Sequence, residues 1–216
     1  MRGKGVRMLE MDLNLRQFPR LRAVALRGAT TYWRLRERYL QNYLFIHINK
    51  TGGRSIETAL GCVYEHKTAR QKRREVGAAV WDEKFTFAFV RNPWDRVVSQ
   101  YFYRRQTEQG AEDLSFEDWV RRVYAEQDPQ LRSREVLFLP QSDWVTDENG
   151  DYLVDFVGRF ERFEEDFQHV CDRIGVAKSL PHKNKSSRGD YRAYYTDETA
   201  GIVARYFAED IDRFDV

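Results

Sequence analysis

The sequence predicts a parallel β-sheet flanked by helices on both faces, an α/β fold in one domain, on three observations. Short apolar runs, rich in aromatic and β-branched residues, recur at 43–48, 85–90 and 152–157, the composition of strands buried on both faces. Helical patterns separate them. The first two runs stop abruptly at a basic residue and a turn, Lys50-Thr51-Gly52-Gly53 and Arg91-Asn92-Pro93, before a helical pattern resumes. Strands alternating with helices favour a parallel sheet with right-handed crossovers.

Each element has its own signal. Residues 13–40 read as one or two amphipathic helices interrupted near Pro19. A helix over 54–61 turns Ile56, Ala59 and Leu60 inward, and the polar, basic stretch 65–77 is partly helical. Asn92 is placed to cap the next helix, with Pro93 at its first position and Asp95 in its first turn. That helix runs to about residue 105 and buries Val97, Val98, Tyr101 and Phe102. Residues 116–126 are helical, 127–150 irregular, and Glu148-Asn149-Gly150-Asp151 forms a hairpin turn. Phe160, Phe163, Phe167, Val170, Cys171 and Ile174 share a helical stripe ended by Gly175, and a last helix spans 197–210.

The chain has 216 residues, 42% hydrophobic and 32% charged, a globular composition with enough length for a real core. Net charge is only +2, yet residues 1–40 hold ten Arg and Lys against three Asp and Glu. The chain therefore divides into a basic, helical N-terminal extension over 1–40 and a domain over 41–216. The extension reads as a solvated arginine-rich face, or as a surface for an acidic partner, lipid or a second copy of the chain. Nucleic acid is disfavoured as a partner, because the basic excess is confined to one end and no binding motif accompanies it. Cys62 and Cys171 lack metal or redox spacing and read as buried, reduced thiols. With no run of about 18 apolar residues and no signal-peptide core, a cytoplasmic location is expected. No His, Cys, Asp or Glu constellation suggests a metal.

A strand, Lys-Thr-Gly-Gly-Arg-Ser, then a helix is by mechanism a phosphate-binding turn. Glycines let the backbone approach an anion, and the open N–H groups and positive end of the new helix hold it. Lys50 adds a cation, and Thr51 and Ser55 add hydroxyls. It is not a Walker A loop, in which lysine follows the glycines. The second turn repeats the design, with Arg91 at a strand end and Ser99 in the following helix. In a parallel sheet both turns lie at one carboxyl edge, where ligands bind. Two anion sites on one edge suit a doubly phosphorylated nucleotide.

These stretches resemble sulfotransferases that use 3′-phosphoadenosine 5′-phosphosulfate (PAPS). The similarity is to the family-2 type that includes carbohydrate enzymes such as heparan sulfate 2-O-sulfotransferase. "IHINKTGGRSI" resembles the 5′-phosphosulfate loop, "FVRNPWDRVVSQY" the 3′-phosphate element, and residues 180–214 the C-terminal segment. The resemblance implies a P-loop-like sheet and an enzyme of the EC 2.8.2 type. It places Lys50, Thr51, Gly52, Gly53, Arg54 and Ser55 on the 5′-phosphosulfate and Arg91, Ser99 and Arg188 on the 3′-phosphate, with Lys185 and Ser187 as weaker candidates. PAPS is then the donor and PAP the product, with no metal required. Asn49 stands where proline is common, which loosens the turn. Arg54 stands where a small hydroxyl residue is common, which removes a donor and adds a cation.

Sulfuryl transfer to a hydroxyl is an in-line displacement that needs a base for the acceptor proton and positive charge at the leaving oxygen. Lys50 suits the second task. His66 is the first candidate for the base and Glu65 the alternative; in the related 2-O-sulfotransferases the catalytic histidine also lies between the loop helix and the 3′-phosphate strand. His47 reads as a satisfied core histidine and His169 as a surface one, while His182 precedes a basic loop and has a candidate binding role. Lys67, Arg70, Lys72, Arg73 and Arg74 form a charge run beside His66 that is either a solvated face or an attractor for an anionic glycan acceptor. Trp81, Trp94, Trp119 and Trp144 are core residues or sugar platforms. Two other classes stay open: a phosphoryl-transferring kinase, and a non-catalytic nucleotide- or polyanion-binding protein.

Overall fold

The computed structural model describes residues 31–32, 34–107, 113–181 and 189–215. The sheet has three strands, β1 (Tyr43–Ile46), β2 (Phe85–Val90) and β3 (Phe156–Arg159), in that spatial order and all parallel. Phe45 lies opposite Phe87, and Phe87 opposite Phe156. Side chains alternate across the pleat. Tyr43, Phe45, Phe87 and Phe89 pack with Ile56 and Leu60 of α2 (Gly53–Leu60) and with Phe167, Val170, Cys171 and Ile174 of α8 (Phe163–Ile174). Leu44, Ile46, Ala88 and Val90 turn to the other side. There they meet α3 (Ala69–Val76), α4 (Ala78–Asp82), α7 (Ser142–Val145) and α10 (Ala208–Phe214) through Ala69, Val76, Trp81, Trp144, Val145 and Phe214. Helices therefore cover both faces, as an all-parallel sheet requires.

A third core lies beyond the sheet, among α5 (Pro93–Gln106), α6 (Phe116–Val120) and α9 (Asp197–Tyr206), around Val98, Tyr101, Trp119, Val123, Phe138 and Val203. The helix expected over 116–126 is α6 continued by a π-helical turn, Arg121–Ala125. The helix expected over 197–210 is two, α9 and α10, divided at the buried Phe207.

The third strand departs from the expected 152–157. Tyr152 bridges antiparallel to Thr146, closing the turn in which Gly150 takes a φ of 84°. The Asp155 carboxylate then accepts from the Thr86 backbone N–H at 2.7 Å and its hydroxyl at 2.8 Å. Residues 152–155 thus close a turn and dock on β2, so the parallel ladder begins only at Phe156.

Most of the N-terminal extension lies outside the described residues. Its last helix, α1 (34–39), sets its polar side against the domain. Arg36 donates to the Gly61 carbonyl, Arg38 to that of Val76 at 3.0 Å, and Glu37 is buried against Lys72. Leu35, Tyr39 and Leu40 are instead exposed. On this helix Arg34 and Arg38 are exposed, while Arg36 and Glu37 turn to the domain's carbonyls and buried lysine. Cys62 and Cys171 are free thiols, half-buried and buried. No helix among the described residues is long and apolar enough to cross a membrane.

Candidate active site

β1 ends at Ile46, and the chain turns through two left-handed residues, Lys50 with φ 68° and Gly52 with φ 83°. The second needs glycine twice over, since a Cβ there would lie 2.6 Å from the Phe163 ring. Helix α2 then starts with no side-chain cap on its N-terminus and no acid in its first turn. Helices α3, α5, α6 and α9 are all capped by a side chain, from Thr68, Asn92, Ser115 and Thr196 respectively. Helices α4, α7, α8 and α10 also start without a side-chain cap, so at α2 it is the combination with the glycine turn and Lys50 that leaves a positive end at the loop.

Thr51 is fully buried and its hydroxyl donates to the Ile48 carbonyl at 2.8 Å, so this side chain braces the loop. Ser55 is buried, with its backbone N–H on the Gly52 carbonyl at 2.9 Å. The Arg54 guanidinium lies 4.7 Å from the centroid of the exposed Tyr64 ring, and the Lys50 ammonium 4.3 Å from that of Tyr103. Asn49 does not loosen the turn. Arg96, 1% exposed, donates to both the Asn49 carbonyl (3.2 Å) and its side-chain oxygen (2.9 Å), and also to the Leu139 carbonyl (3.1 Å). The amide supplies an acceptor that proline would lack, and Arg96 bolts the loop to α5.

The second turn sits beside the first, as parallel strands require. Arg91 donates through Nη1 to the Lys50 carbonyl at 3.2 Å. Its Nε and Nη2 grip Asp95 Oδ2 at 2.8 and 2.5 Å, and its plane lies 4.0 Å from the centroid of Phe160. Asn92 caps α5 through the N–H groups of Trp94 and Asp95. Ser99 is half-buried two turns along that helix. Arg188, Lys185, Ser187 and His182 lie outside the described residues.

His66 comes back to the end of β1. Its Nδ1 lies 3.0 Å from the His47 carbonyl oxygen. A carbonyl only accepts, so Nδ1 carries the hydrogen, and in the neutral ring Nε2 keeps its lone pair. Burial, then the adjacent His47, hold His66 down to about 4, so it is neutral at ordinary pH. His47 is itself buried, its Nδ1 2.7 Å from Glu57 Oε1 on α2, and its ring centroid stands 4.5 Å from that of His66. Burial moves both members of that pair toward neutrality, lowering His47 to about 3 and raising Glu57 to about 8. His47 is thus the satisfied core histidine expected, but the role of its partner Glu57 had no signal in the sequence. A charged residue one turn into an otherwise apolar helix face was the available clue.

Glu65 is differently placed. Burial raises its carboxyl, but Lys72 at 2.5 Å and Lys67 at 2.7 Å outweigh this and hold it below the usual range. The charge run is not one solvated face: Lys72 is 1% exposed between Glu37 and Glu65, and Lys67 pairs with Glu65 and Glu75. Trp81, Trp119 and Trp144 are buried, and the half-buried Trp94 donates to the Ala200 carbonyl. These are core residues rather than platforms. His169 is exposed, its ring beside Phe156.

A curated relative, an uncharacterized protein of Archaeoglobus fulgidus, is 32% identical over 123 residues, covering 56% of this chain and 92% of its own. The crystal structure of a sulfotransferase from Alicyclobacillus acidocaldarius overlaps 78% of this chain and 94% of its own, at 18% identity and a TM-score of 0.44. The pattern of the sulfotransferase family matches residues 38–215, nearly the whole of the described domain, and the chain belongs to the sulfotransferase family.

Proposed function

We propose that this sulfotransferase moves the sulfuryl group from PAPS to a hydroxyl of an acceptor, with His66 as the base. The observation that carries the reading is the bond from His66 Nδ1 to the His47 carbonyl. It ties the candidate base to the strand that delivers the Lys50–Ser55 loop, only three residues upstream of Lys50. The uncapped α2 terminus, with Lys50 and Arg54, suits the phosphosulfate, and Arg91 at the adjoining turn suits the 3′-phosphate. The acceptor oxygen attacks sulfur in line, its proton passes to His66 Nε2, and the S–O bond to the 5′-phosphate breaks. Lys50 meets the charge left on that oxygen. The P-loop-like character of the sheet belongs to the same proposal, as does a carbohydrate or small-alcohol acceptor. Glu65 is disfavoured as the base because two lysines hold its carboxylate.

The test is calorimetric titration with PAP, ATP and ADP in EDTA, followed by turnover against an acceptor panel. Micromolar PAP binding, weakened in Lys50→Ala and Arg91→Ala, supports the donor. His66→Ala that still binds PAP but turns over about 10²-fold more slowly supports the base. ATP binding that needs magnesium, without PAP binding, would replace this reading with the kinase one. PAP binding without sulfate transfer to any acceptor would favour a binding protein.

A further inference from the structure

Glu57 is a buried acid on the inner face of the loop helix, and nothing in the chemistry above uses it. Its position is unusual in three respects. It lies one helical turn after Gly53, at the start of α2, so it is fixed relative to the loop. It reaches across to His47, the first residue beyond β1, in a 2.7 Å contact between two residues that are each more than nine-tenths buried. Beside that contact the His47 ring lies so close to the loop backbone that a Cβ on Gly53 would be 2.1 Å from it. The strut therefore joins strand end, loop and helix in one rigid piece, and the same His47 offers its carbonyl to His66.

We propose that Glu57, through His47, is a positioning residue for His66: it holds the His47 carbonyl where it keeps the His66 proton on Nδ1 and leaves Nε2 as the proton acceptor. The inference deepens the reading of His66 as base and rests on it. Geometry carries it. If the strut is lost, His47 has no partner for Nδ1 and its ring is released from Gly53. The carbonyl that selects the His66 tautomer is then no longer held, and a ring that protonates on Nε2 instead cannot take the acceptor proton there. Several charged or titratable groups surround this strut. Lys50 and Arg54 act on His47, Arg54 and Glu65 on Glu57, and Arg134 on His66. Tyr64 and Trp144 pack edge-on to the His66 ring.

The first measurement uses the unaltered protein: long-range 1H–15N NMR of the imidazoles. It should show His66 as the Nδ1–H tautomer near pH 7, and the Nε2–H tautomer would overturn the proposal without any variant. The second compares Glu57→Gln with Glu57→Leu. Gln keeps an N–H donor for His47 Nδ1, while Leu keeps only bulk. Glu57→Leu should lower kcat on the order of tenfold or more, leave PAP affinity and KM within about threefold, and give a mixed His66 tautomer, with Glu57→Gln restoring most of both. Unchanged kcat and tautomer in Glu57→Leu would overturn the proposal. Equal losses of kcat and PAP affinity in both variants would do the same, by assigning Glu57 a role in loop stability alone. Failure of the base reading looks different: His66→Ala would turn over normally while the tautomer shift in Glu57→Leu persisted.

Discussion

The two turns at the carboxyl edge of the sheet have the same antecedents and opposite fates. Each follows a buried parallel strand, begins at a basic residue and leads into a helix. After β2, the helix end is closed from within: Asn92 caps it, Asp95 sits in its first turn, and Arg91 is gripped by that same Asp95. After β1, the helix end has no cap and no acid, and the backbone turns left-handed at Lys50 and Gly52 to expose it. The difference is between a helix start closed by its own side chains and one left without a side-chain cap or a first-turn acid. The open helix end is why the proposed phosphosulfate site is put at the β1 turn, while the proposed 3′-phosphate contact at the β2 turn falls to Arg91, which Asp95 already orients. The first turn is also the one supported from below, by Thr51, Arg96 and the His47–Glu57 contact.

The contrast can be broken most severely at the link between the turns. Arg96→Met removes donors from the Asn49 carbonyl and amide and from Leu139 together. It should cost about 3 kcal/mol or more of stability and abolish PAP binding even though Arg96 touches no ligand, measured by urea denaturation and calorimetry. Retained binding with full stability would mean that the loop holds its shape unaided. Gly53→Ala tests the close approach. Its Cβ would collide with the His47 ring, so the helix start must shift, at about 2 kcal/mol and with PAP affinity lowered. After the other turn, Gln106→Ala at an exposed position of α5 should do neither.

Acid sharpens the comparison next, because among the described residues the two buried histidines, His47 and His66, lie beside the first turn. His47 and His66 are held below the unfolded value of 6.5. Above pH 6.5 both folded and unfolded chains carry them neutral. As pH falls from there toward 4 and 3, the unfolded chain takes up protons that the native one refuses, so stability is lost across that window. Glu57 runs the other way. Its raised value favours the native state below 4.5, and that advantage disappears as pH rises through about 8. With two histidines against one acid, stability still rises with pH up to about 6.5 and falls above it as Glu57 ionises in the unfolded chain first, so the greatest contribution of this region lies near pH 6.5, to be read from denaturation midpoints at several pH values. Replacing both His47 and Glu57 with apolar residues should flatten that dependence. The smallest effect is at the second turn, where Asn92→Ala removes only a cap and should cost about 1 kcal/mol with PAP affinity unchanged. Lost affinity there would show that the cap also shapes the site.

Local chemistry made much of the fold legible. Strands β1 and β2, the Asn92-Pro93 helix start, the Gly175 stop and the apolar stripe of α8 all declare themselves through residues adjacent in the chain. The third strand did not, because Tyr152 and Leu153 carry a strand's composition but pair backward across the turn to Val145 and Thr146. Asp155, a poor strand residue, is used instead to anchor Thr86. The site divides the same way. Lys50, the glycines and Arg91 stand in recognisable strings, whereas the Arg96–Asn49 bolt spans 47 positions and the contact of Glu57 with His47 joins a helix to a strand end.

By itself the sequence determined the alternation of strands and helices and the two turns that end β1 and β2 at a basic residue, because each depends on neighbours within a few positions. The tertiary structure alone decided that Thr51 faces inward, that Lys72 is buried between acids, that Glu65 is held by lysines and that His66 hangs from the strand preceding the loop. Burial and long-range partners set those outcomes, and both arise only when segments far apart in the chain are packed against each other.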